Sequence, residues 1–423
     1  MTKTVQWEYV ISAMSHVQLD HGSIFQDREV FDKINDMLGK TQDMYNHKVS
    51  LLFNAFTEKA NGPKLSQYTN AYNIHSDSGG LQVVTLGKKV DEEIRKKIYK
   101  VQADYSDVAM SFDEMPVDVG DSRSGKLDIA TRRFDSKKFD EMSRQSGKNL
   151  LEQINFFLDE GTTTRPLVIL HGNDITWYQR NLDLILSEIP QDKWQYIDGI
   201  SCGSGAMGFG DLENIERAAV MAFIEAPEHM KKKYHVLGVG SLGRMMPLVS
   251  LVRNGVFDKD VHISYDSSSL TVSFTMGFYH FDSYWCKEKL SKVYDETFMR
   301  MYDDVSVKSK RLFGLDIDRE DLFRMMCVSK KESNRGDHPQ KFIANAAVLF
   351  NSVLNFNHLL DRITNDDSFF EQYVNERDHN LQSLKIIKSL DDFKRWKAEY
   401  GRHFKSLRVE DSKTSASIDN FFG

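Results

Sequence analysis

Aspartates close three separate apolar runs of this sequence, at positions where a carboxylate can do chemistry. Asp77, Asp113 and Asp266 come directly after the runs at residues 71–76, 108–112 and 261–265. Carboxylates serve as general acids, general bases and nucleophiles, and they are costly to bury unless they are paired or used. Each aspartate alone could equally be a turn residue or a helix N-cap. Three in the same relation to an apolar run favour one shared site.

The apolar runs before these aspartates belong to a longer series between residues 45 and 270. Seven such runs each end in small or polar residues, at 49–53, 71–76, 108–112, 167–170, 196–202, 234–237 and 261–265. Segments with helical spacing separate them, at 90–101, 136–158, 181–189, 212–223 and 245–253. Buried strands that alternate with helices indicate βαβ units and a parallel sheet. We therefore expect a (β/α)8 TIM-type barrel, whose βα loops meet at one mouth. A doubly wound sheet is the alternative.

The character of the sequence changes after residue 280. Residues 281–423 contain 24 basic and 24 acidic residues and few strand-like runs. A long apolar-rich segment at 342–363 has the spacing of a helix that is buried on most sides. We expect residues 1–280 to form most of the catalytic barrel and residues 281–423 to form a mostly helical C-terminal region. Segment 342–363 would then complete the barrel's outer ring of helices.

Several short motifs follow one another in a defined order along the expected barrel. They are Asp-Ser-Gly-Gly-Leu-Gln at 77–82, Phe-Asp-Glu at 112–114, His-Gly at 171–172, a glycine-rich stretch at 203–210, Leu-Gly-Val-Gly at 237–240 and Tyr-Asp-Ser at 265–267. Over roughly residues 45–270 this order resembles the guanine transglycosylases, which exchange bases in tRNA. The resemblance is closest to the phage and bacterial enzymes of the DpdA type, which insert 7-deazaguanine derivatives into DNA.

This resemblance implies a role for each of the three aspartates. Asp266 would be the nucleophile that attacks C1′ of the target nucleoside, Asp77 the general acid/base, and Asp113 the acceptor for the N1–H and amine of the purine. Two such carboxylates parallel the retaining glycosidases, where they lie about 5–5.5 Å apart. The other base-binding residues implied in this way are Ser78, Gly79, Leu81, Gln82, His171, Gly203, Ser204, Gly205, Leu237 and Gly238.

The sequence departs from the family at three of these positions. Leu81 stands where phenylalanine is usual and Leu237 where methionine is usual, so the base would lie between aliphatic groups. His171 stands where glutamine is usual. It could donate to the base carbonyl, or it could be an ordinary histidine at the end of a strand.

The cysteines give no indication of a metal site. The tRNA enzymes hold a structural zinc with three clustered cysteines and a histidine, and such sites need closely spaced ligands. Cys202, Cys286 and Cys327 are far apart in the sequence. We therefore expect no zinc and no other cofactor, and we interpret the cysteines as thiols of a reducing compartment.

The charge balance restricts how a nucleic acid could bind. The 423 residues include 55 Lys and Arg against 62 Asp and Glu, a net charge of -7, and residues 1–280 hold the whole acidic excess. A polynucleotide would therefore need a local basic surface. The preferred segment contains Arg123, Lys126, Arg132, Arg133, Lys137 and Lys138, although a solvated helix face would look the same.

The expected activity is replacement of guanine in DNA by a 7-deazaguanine base such as preQ0. The alternatives are a tRNA-guanine transglycosylase and a nucleoside-processing barrel hydrolase with no polynucleotide partner. No run of 18 apolar residues is present, so we expect no membrane partner and a cytoplasmic location. The oligomeric state is left open by the sequence.

Overall fold

The structure of this chain is a computed structural model. It describes residues 5–12, 14–17, 19–20, 27–42, 47–57, 67–79, 90–115, 136–172, 175–203, 212–258, 260–274, 276–282, 287–290, 294–327, 339–377 and 389–403.

Eight parallel strands close into a barrel, each paired with its neighbours in chain order. They are β1 (Gln6–Ile11), β2 (His47–Asn54), β3 (Ile74–Asp77), β4 (Val108–Met110), β5 (Arg165–Leu170), β6 (Gly199–Cys202), β7 (Lys233–Val236) and β8 (His262–Asp266). Strand β1 pairs with both β2 and β8, which closes the sheet. The prediction of a (β/α)8 TIM-type barrel is confirmed.

Helices alternate with the strands and continue beyond the barrel. They are α1 (Arg28–Gln42), α2 (Glu92–Tyr105), α3 (Ser136–Asp159), α4 (Ile175–Ser187), α5 (Leu212–Glu225), α6 (Leu242–Arg253), α7 (Ser268–Ser273), α8 (Glu296–Lys308), α9 (Arg319–Cys327), α10 (Pro339–Asn365), α11 (Asp367–Arg377) and α12 (Leu390–His403). A small hairpin of β9 (Phe278–His280) and β10 (Lys287–Lys289) lies between α7 and α8. Among the described helices, none combines the length and apolarity needed to cross a membrane.

Helix α10 contains the long apolar segment that the sequence places at 342–363. It packs against α1 and α6, and its residues Phe350, Val353 and Leu360 are buried in the main core. This helix, the longest of the described C-terminal region, thereby covers the barrel where its first and last strands meet.

Strand β1 is the one strand of the barrel that the apolar runs did not indicate. Glu8 interrupts its hydrophobic residues, and a charged residue in a buried strand is unexpected. In the structure Glu8 is buried and its carboxylate is paired, with His75 Nε2 2.8 Å from Oε1. The charge is thus satisfied inside the barrel rather than by solvent.

The interior of the barrel has one apolar side and one polar side. Strand pairing and the alternation of side chains along each strand place two sets of residues inward. The apolar set is Val108, Met110, Leu167 and Ile169, with Leu237 packed against it. The polar set is Glu8, Ser50, His75, Ser201, His235 and Ser264, all of them buried. The polar side lies below Asp77 and Asp266.

A close backbone approach between β6 and β7 gives a first test of the barrel. A Cβ at Gly199 would lie 2.0 Å from the carbonyl oxygen of Lys233 on β7. Because backbone cannot move aside as a flexible side chain can, Gly199→Ala is expected to lower the free energy of unfolding by about 1–3 kcal/mol. Urea denaturation measures this change.

Gly243→Ala in α6 is the matched control for that variant. No described atom lies within 4 Å of a Cβ at this position, so the substitution should be neutral or stabilising by up to about 1 kcal/mol. Equal destabilisation by both variants would contradict the proposed packing of β6 against β7.

Candidate active site

The C-terminal ends of β3, β4 and β8 bring three aspartates to one mouth of the barrel. Asp77 is the last residue of β3, Asp266 is the last residue of β8, and Asp113 follows closely after β4. The negative charges of Asp113 and Asp266 both raise the pKa of Asp77, so the three carboxylates lie near one another. Strand ends at this face are where such barrels place reactive groups.

Asp77 occupies an environment that retains a proton. Burial raises its pKa from 3.8 to about 6, the charges of Asp113 and Asp266 act in the same direction, and the N–H groups of Gly79 and Ser78 oppose them in part. Asn54 at the end of β2 donates to Oδ2 at 3.4 Å. A carboxyl group with a pKa of about 6 can both give and take a proton near neutral pH.

Gly79 is held where only glycine fits. Its φ of 82° lies in the left-handed region, and a Cβ there would lie 2.4 Å from Cβ of Phe56 and 3.0 Å from Oδ1 of Asn54. This turn directs its backbone N–H back to Asp77. The local backbone and packing therefore require glycine at position 79, whether or not a ligand binds.

Asp266 is held by one of its two carboxylate oxygens. The N–H of Gly238 donates to Oδ1 at 2.8 Å, and Nε2 of His235 lies 3.4 Å from the same atom. Gly238 reaches this position in the turn after β7 with a φ of 69°. No hydrogen bond to Oδ2 is made by the described residues. A nucleophilic carboxylate would need an oxygen without such a partner.

Asp113 is paired with His171 across the ends of β4 and β5. Nε2 of His171 lies 2.6 Å from Oδ2 of Asp113, and both side chains are almost completely buried. The structure therefore places His171 against Asp113, where it can orient the carboxylate that would accept from a ligand.

Two neighbours fix the position of His171. Its backbone N–H donates to Oδ1 of Asn181 on α4 at 2.9 Å. Gly203 after β6 lies directly beside its ring, since a Cβ there would be 2.9 Å from Cε1 of His171 and 2.9 Å from Cγ2 of Ile169. Glycine at 203 is therefore needed to make room for the imidazole.

Ser78 and Leu237 offer contrasting surfaces beside the carboxylates. The hydroxyl of Ser78 is buried, and it has no hydrogen-bond partner among the described residues. Leu237 is partly buried and packs against the apolar side of the barrel interior. A planar ligand at this mouth could gain one polar contact from Ser78 and one apolar contact from Leu237.

Some predicted site residues fall outside the part of the chain that the structure describes. These are Leu81, Gln82, Ser204 and Gly205 of the base-binding set, and Arg123, Lys126, Arg132 and Arg133 of the basic segment. Lys137 and Lys138 lie in the first turn of α3. The positions of the residues outside the described ranges, relative to the mouth, therefore stay predictions.

No group of three or more His, Cys, Asp or Glu side chains with the geometry of a metal site occurs in the described ranges. The thiol of Cys202 is buried, and its sulfur lies 3.3 Å from the hydroxyl of Tyr178. Cys286 and the side chain of Cys327 lie outside the described parts of the chain.

Two residues of the site were not predicted from the sequence, Asn54 and His235. Both point into the barrel at strand positions level with a neighbouring site residue: Asn54 pairs with Asp77, and His235 pairs with Ser264 two residues before Asp266. The alternation of side chains along β2 and β7 was the available signal. It could be used only once the register between the strands was known.

Comparison with models of protein families gives no match to this sequence, and comparison with curated proteins gives none either.

The raised pKa of Asp77 has a consequence for stability. The native state binds this proton more tightly than the unfolded chain, so stability falls as the pH rises from about 4 through 6. Asp77→Asn removes the charge and should increase the free energy of unfolding at pH 7.5 by about 1–3 kcal/mol. The gain should disappear below pH 4. Urea denaturation at both pH values measures it.

Asp36→Asn is the control for this prediction. Asp36 is an exposed carboxylate that pairs with Lys40 on α1, so its replacement should change stability by no more than about 0.5 kcal/mol at either pH. An Asp77→Asn variant that behaved like this control would show that Asp77 is ionised without cost.

Proposed function

We propose that this chain is a transglycosylase that replaces guanine in DNA by a 7-deazaguanine base such as preQ0. The observation that supports this most strongly is the division between two nearby carboxylates. Asp77 retains a proton to about pH 6, while Asp266 is anchored through one oxygen by Gly238 and has the other available. Retaining glycosyl transfer needs this combination of an acid/base and a nucleophile.

In the first half-reaction Oδ2 of Asp266 attacks C1′ of the target deoxyguanosine. The C1′–N9 bond breaks, its electron pair goes to the leaving guanine, and Asp77 gives its proton to that base. The product is a covalent ester between Asp266 and the deoxyribose. A carboxylate nucleophile divides one difficult substitution into two easier ones.

The second half-reaction reverses these roles with a different base. Asp77, now ionised, takes the N9 proton of the incoming 7-deazaguanine. N9 attacks C1′, the ester C–O bond breaks, and its electron pair restores the carboxylate of Asp266. Atoms and charge balance with no external cofactor.

The Asp113–His171 pair suits recognition of the guanine edge. A carboxylate accepts from the N1–H and the exocyclic amine of a purine, and the hydrogen bond at Oδ2 orients Asp113 for this task. Each carboxylate oxygen has two lone pairs, so the bond from His171 leaves capacity for the ligand. Leu237 would cover one face of the base.

The preference for DNA over tRNA depends on sequence features. The cysteines are too widely spaced for the zinc cluster of the tRNA enzymes, and the basic segment at 123–138 follows directly on the Asp113 loop. A guanosine in a duplex would have to leave the base stack to reach the three aspartates.

Base exchange tests the proposal directly. Wild-type protein is incubated with radiolabelled guanine or preQ0 and, separately, with DNA, tRNA or free nucleosides, and label in each acceptor is counted. Label should enter DNA, and Asp266→Asn should reduce incorporation at least 10³-fold because the nucleophile is lost. Asp36→Asn should have no effect.

The other outcomes of this experiment identify the alternatives. Label in tRNA but not in DNA would show a tRNA-guanine transglycosylase. Release of base from nucleosides without incorporation of label would show a hydrolase with no polynucleotide partner. Full incorporation by Asp266→Asn would refute the assignment of the nucleophile.

The pH dependence of covalent-complex formation tests the role of Asp77. Only protonated Asp77 can act as the acid in the first half-reaction, so the rate of complex formation should fall as pH rises through about 6. Denaturing gel electrophoresis of the protein–oligonucleotide complex at several pH values measures this rate. A rate that increased through this range would contradict the role of Asp77 as the acid.

A further inference from the structure

The barrel interior below Asp266 contains ionisable side chains where such barrels ordinarily hold branched apolar residues. Glu8, His75 and His235 are 2%, 1% and 0% exposed. Burial of polar and charged groups is costly unless each is paired. The cost of burying these three side chains beneath the mouth must therefore be offset by the contacts they make.

We propose that His235 is a positioning residue, whose Nε2 faces Oδ1 of Asp266 and directs the other oxygen of the nucleophile toward C1′. Nε2 lies 3.4 Å from Oδ1 and makes no hydrogen bond to the described residues. This inference depends on the proposed function for the role of Asp266, and on the geometry alone for the contact. The contact and the function can be tested separately.

The hydrogen bond at the other ring nitrogen determines the tautomer of His235. Nδ1 lies 2.8 Å from the hydroxyl oxygen of Ser264, the neighbouring inward residue on β8. If the hydroxyl donates to Nδ1, the ring proton is on Nε2, which faces Oδ1 of Asp266 at 3.4 Å. The opposite tautomer would direct a bare nitrogen lone pair at a carboxylate, an electrostatically unfavourable arrangement. Ser264 and Asp266 together thus favour the Nε2–H form.

A second histidine, His75, lies beneath His235 and is paired with Glu8. The rings of His75 and His235 lie 5.8 Å apart at 32°, and Nε2 of His75 lies 2.8 Å from Oε1 of Glu8. Burial opposes ionisation of Glu8, but His75 and His262 outweigh it and hold its pKa well below the usual range. Because Glu8 is ionised, His75 donates to it through Nε2–H.

This pairing fixes the plane of the His75 ring, against which His235 packs. Ser50 and Asn73 also donate to Oε1 of Glu8, so the carboxylate is bound from both β2 and the segment before β3. Strands β1, β2 and β3 are thereby cross-linked to the ring that supports His235. A support of this kind keeps a reactive group within a fraction of an ångström of its working position.

The two N–H groups beside Oδ1 serve both half-reactions. The N–H of Gly238 donates to the oxygen that does not attack, and Nε2 of His235 lies 3.4 Å from the same atom. In the covalent ester this atom becomes the carbonyl oxygen. When the incoming base displaces the ester, negative charge returns to the carboxylate, and both N–H groups stabilise it.

Nuclear magnetic resonance of protein labelled with ¹⁵N-histidine tests the contact without any substrate. In the wild type His235 should show protonated Nε2 and an unprotonated, hydrogen-bonded Nδ1. Asp266→Asn should shift the Nε2 resonance, and Ser264→Ala should shift the Nδ1 resonance. Asp113→Asn should shift the resonances of His171 and leave those of His235 in place. A proton on Nδ1 of His235, or no response to Asp266→Asn, would overturn the proposal.

Kinetics of covalent-complex formation with a guanine-containing single-stranded oligonucleotide test the consequence. His235→Leu should slow complex formation about 10- to 100-fold, with KM for the oligonucleotide changed less than threefold because His235 does not face the base. His235→Gln, which can still donate, should recover part of the rate. An unchanged rate in His235→Leu would overturn the positioning role.

His47→Leu is the matched control for removal of a buried imidazole. His47 is buried against Trp7 and makes no hydrogen bond to the described residues. It should leave the rate of complex formation unchanged. If the wild type forms no covalent complex, the proposed function fails, whereas the resonance experiment still decides the contact between His235 and Asp266.

Discussion

Three carboxylates share one mouth of the barrel, and the protonation of Asp77 depends on the charges of the other two. Asp113 and Asp266 both raise the pKa of Asp77, so the site would be strained if all three were ionised without support. Asp113 has the imidazole of His171, and Asp266 has the N–H of Gly238 with His235 nearby. Asp77 is desolvated and retains its proton to about pH 6. The three carboxylates therefore differ in their hydrogen-bond partners, as the proposed division into an acid and a nucleophile requires.

The inward side chains of the barrel strands give the three aspartates their different hydrogen-bond partners. The polar side of the barrel, from Glu8 through His75 to His235, lies below Asp266. Its apolar side, which includes Met110 and Ile169, contributes no donors. Polar groups in a core reduce stability unless all are paired. The pairing of Glu8 with three other strands is therefore the structural condition on which the position of His235 depends.

Seven barrel strands and the strand-end aspartates could be predicted from apolar runs and the residues that end them. β1 could not, because Glu8 breaks its apolar pattern, and the histidines that satisfy this charge come from β3 and β8. His171 was predicted to bind a base, whereas its contact with Asp113 became visible only from the structure. Asn54 and His235 depend on strand register, which a single sequence does not specify.

Carboxyl ¹³C resonances of the aspartates measure the charge distribution at the mouth most directly. Asp77 should titrate near pH 6 in the wild type. Its midpoint should fall in both Asp113→Asn and Asp266→Asn, because each variant removes a negative charge that opposes its ionisation. A midpoint near pH 4 in the wild type, or one that neither variant changes, would contradict the proposed role of Asp77 as the acid of this site.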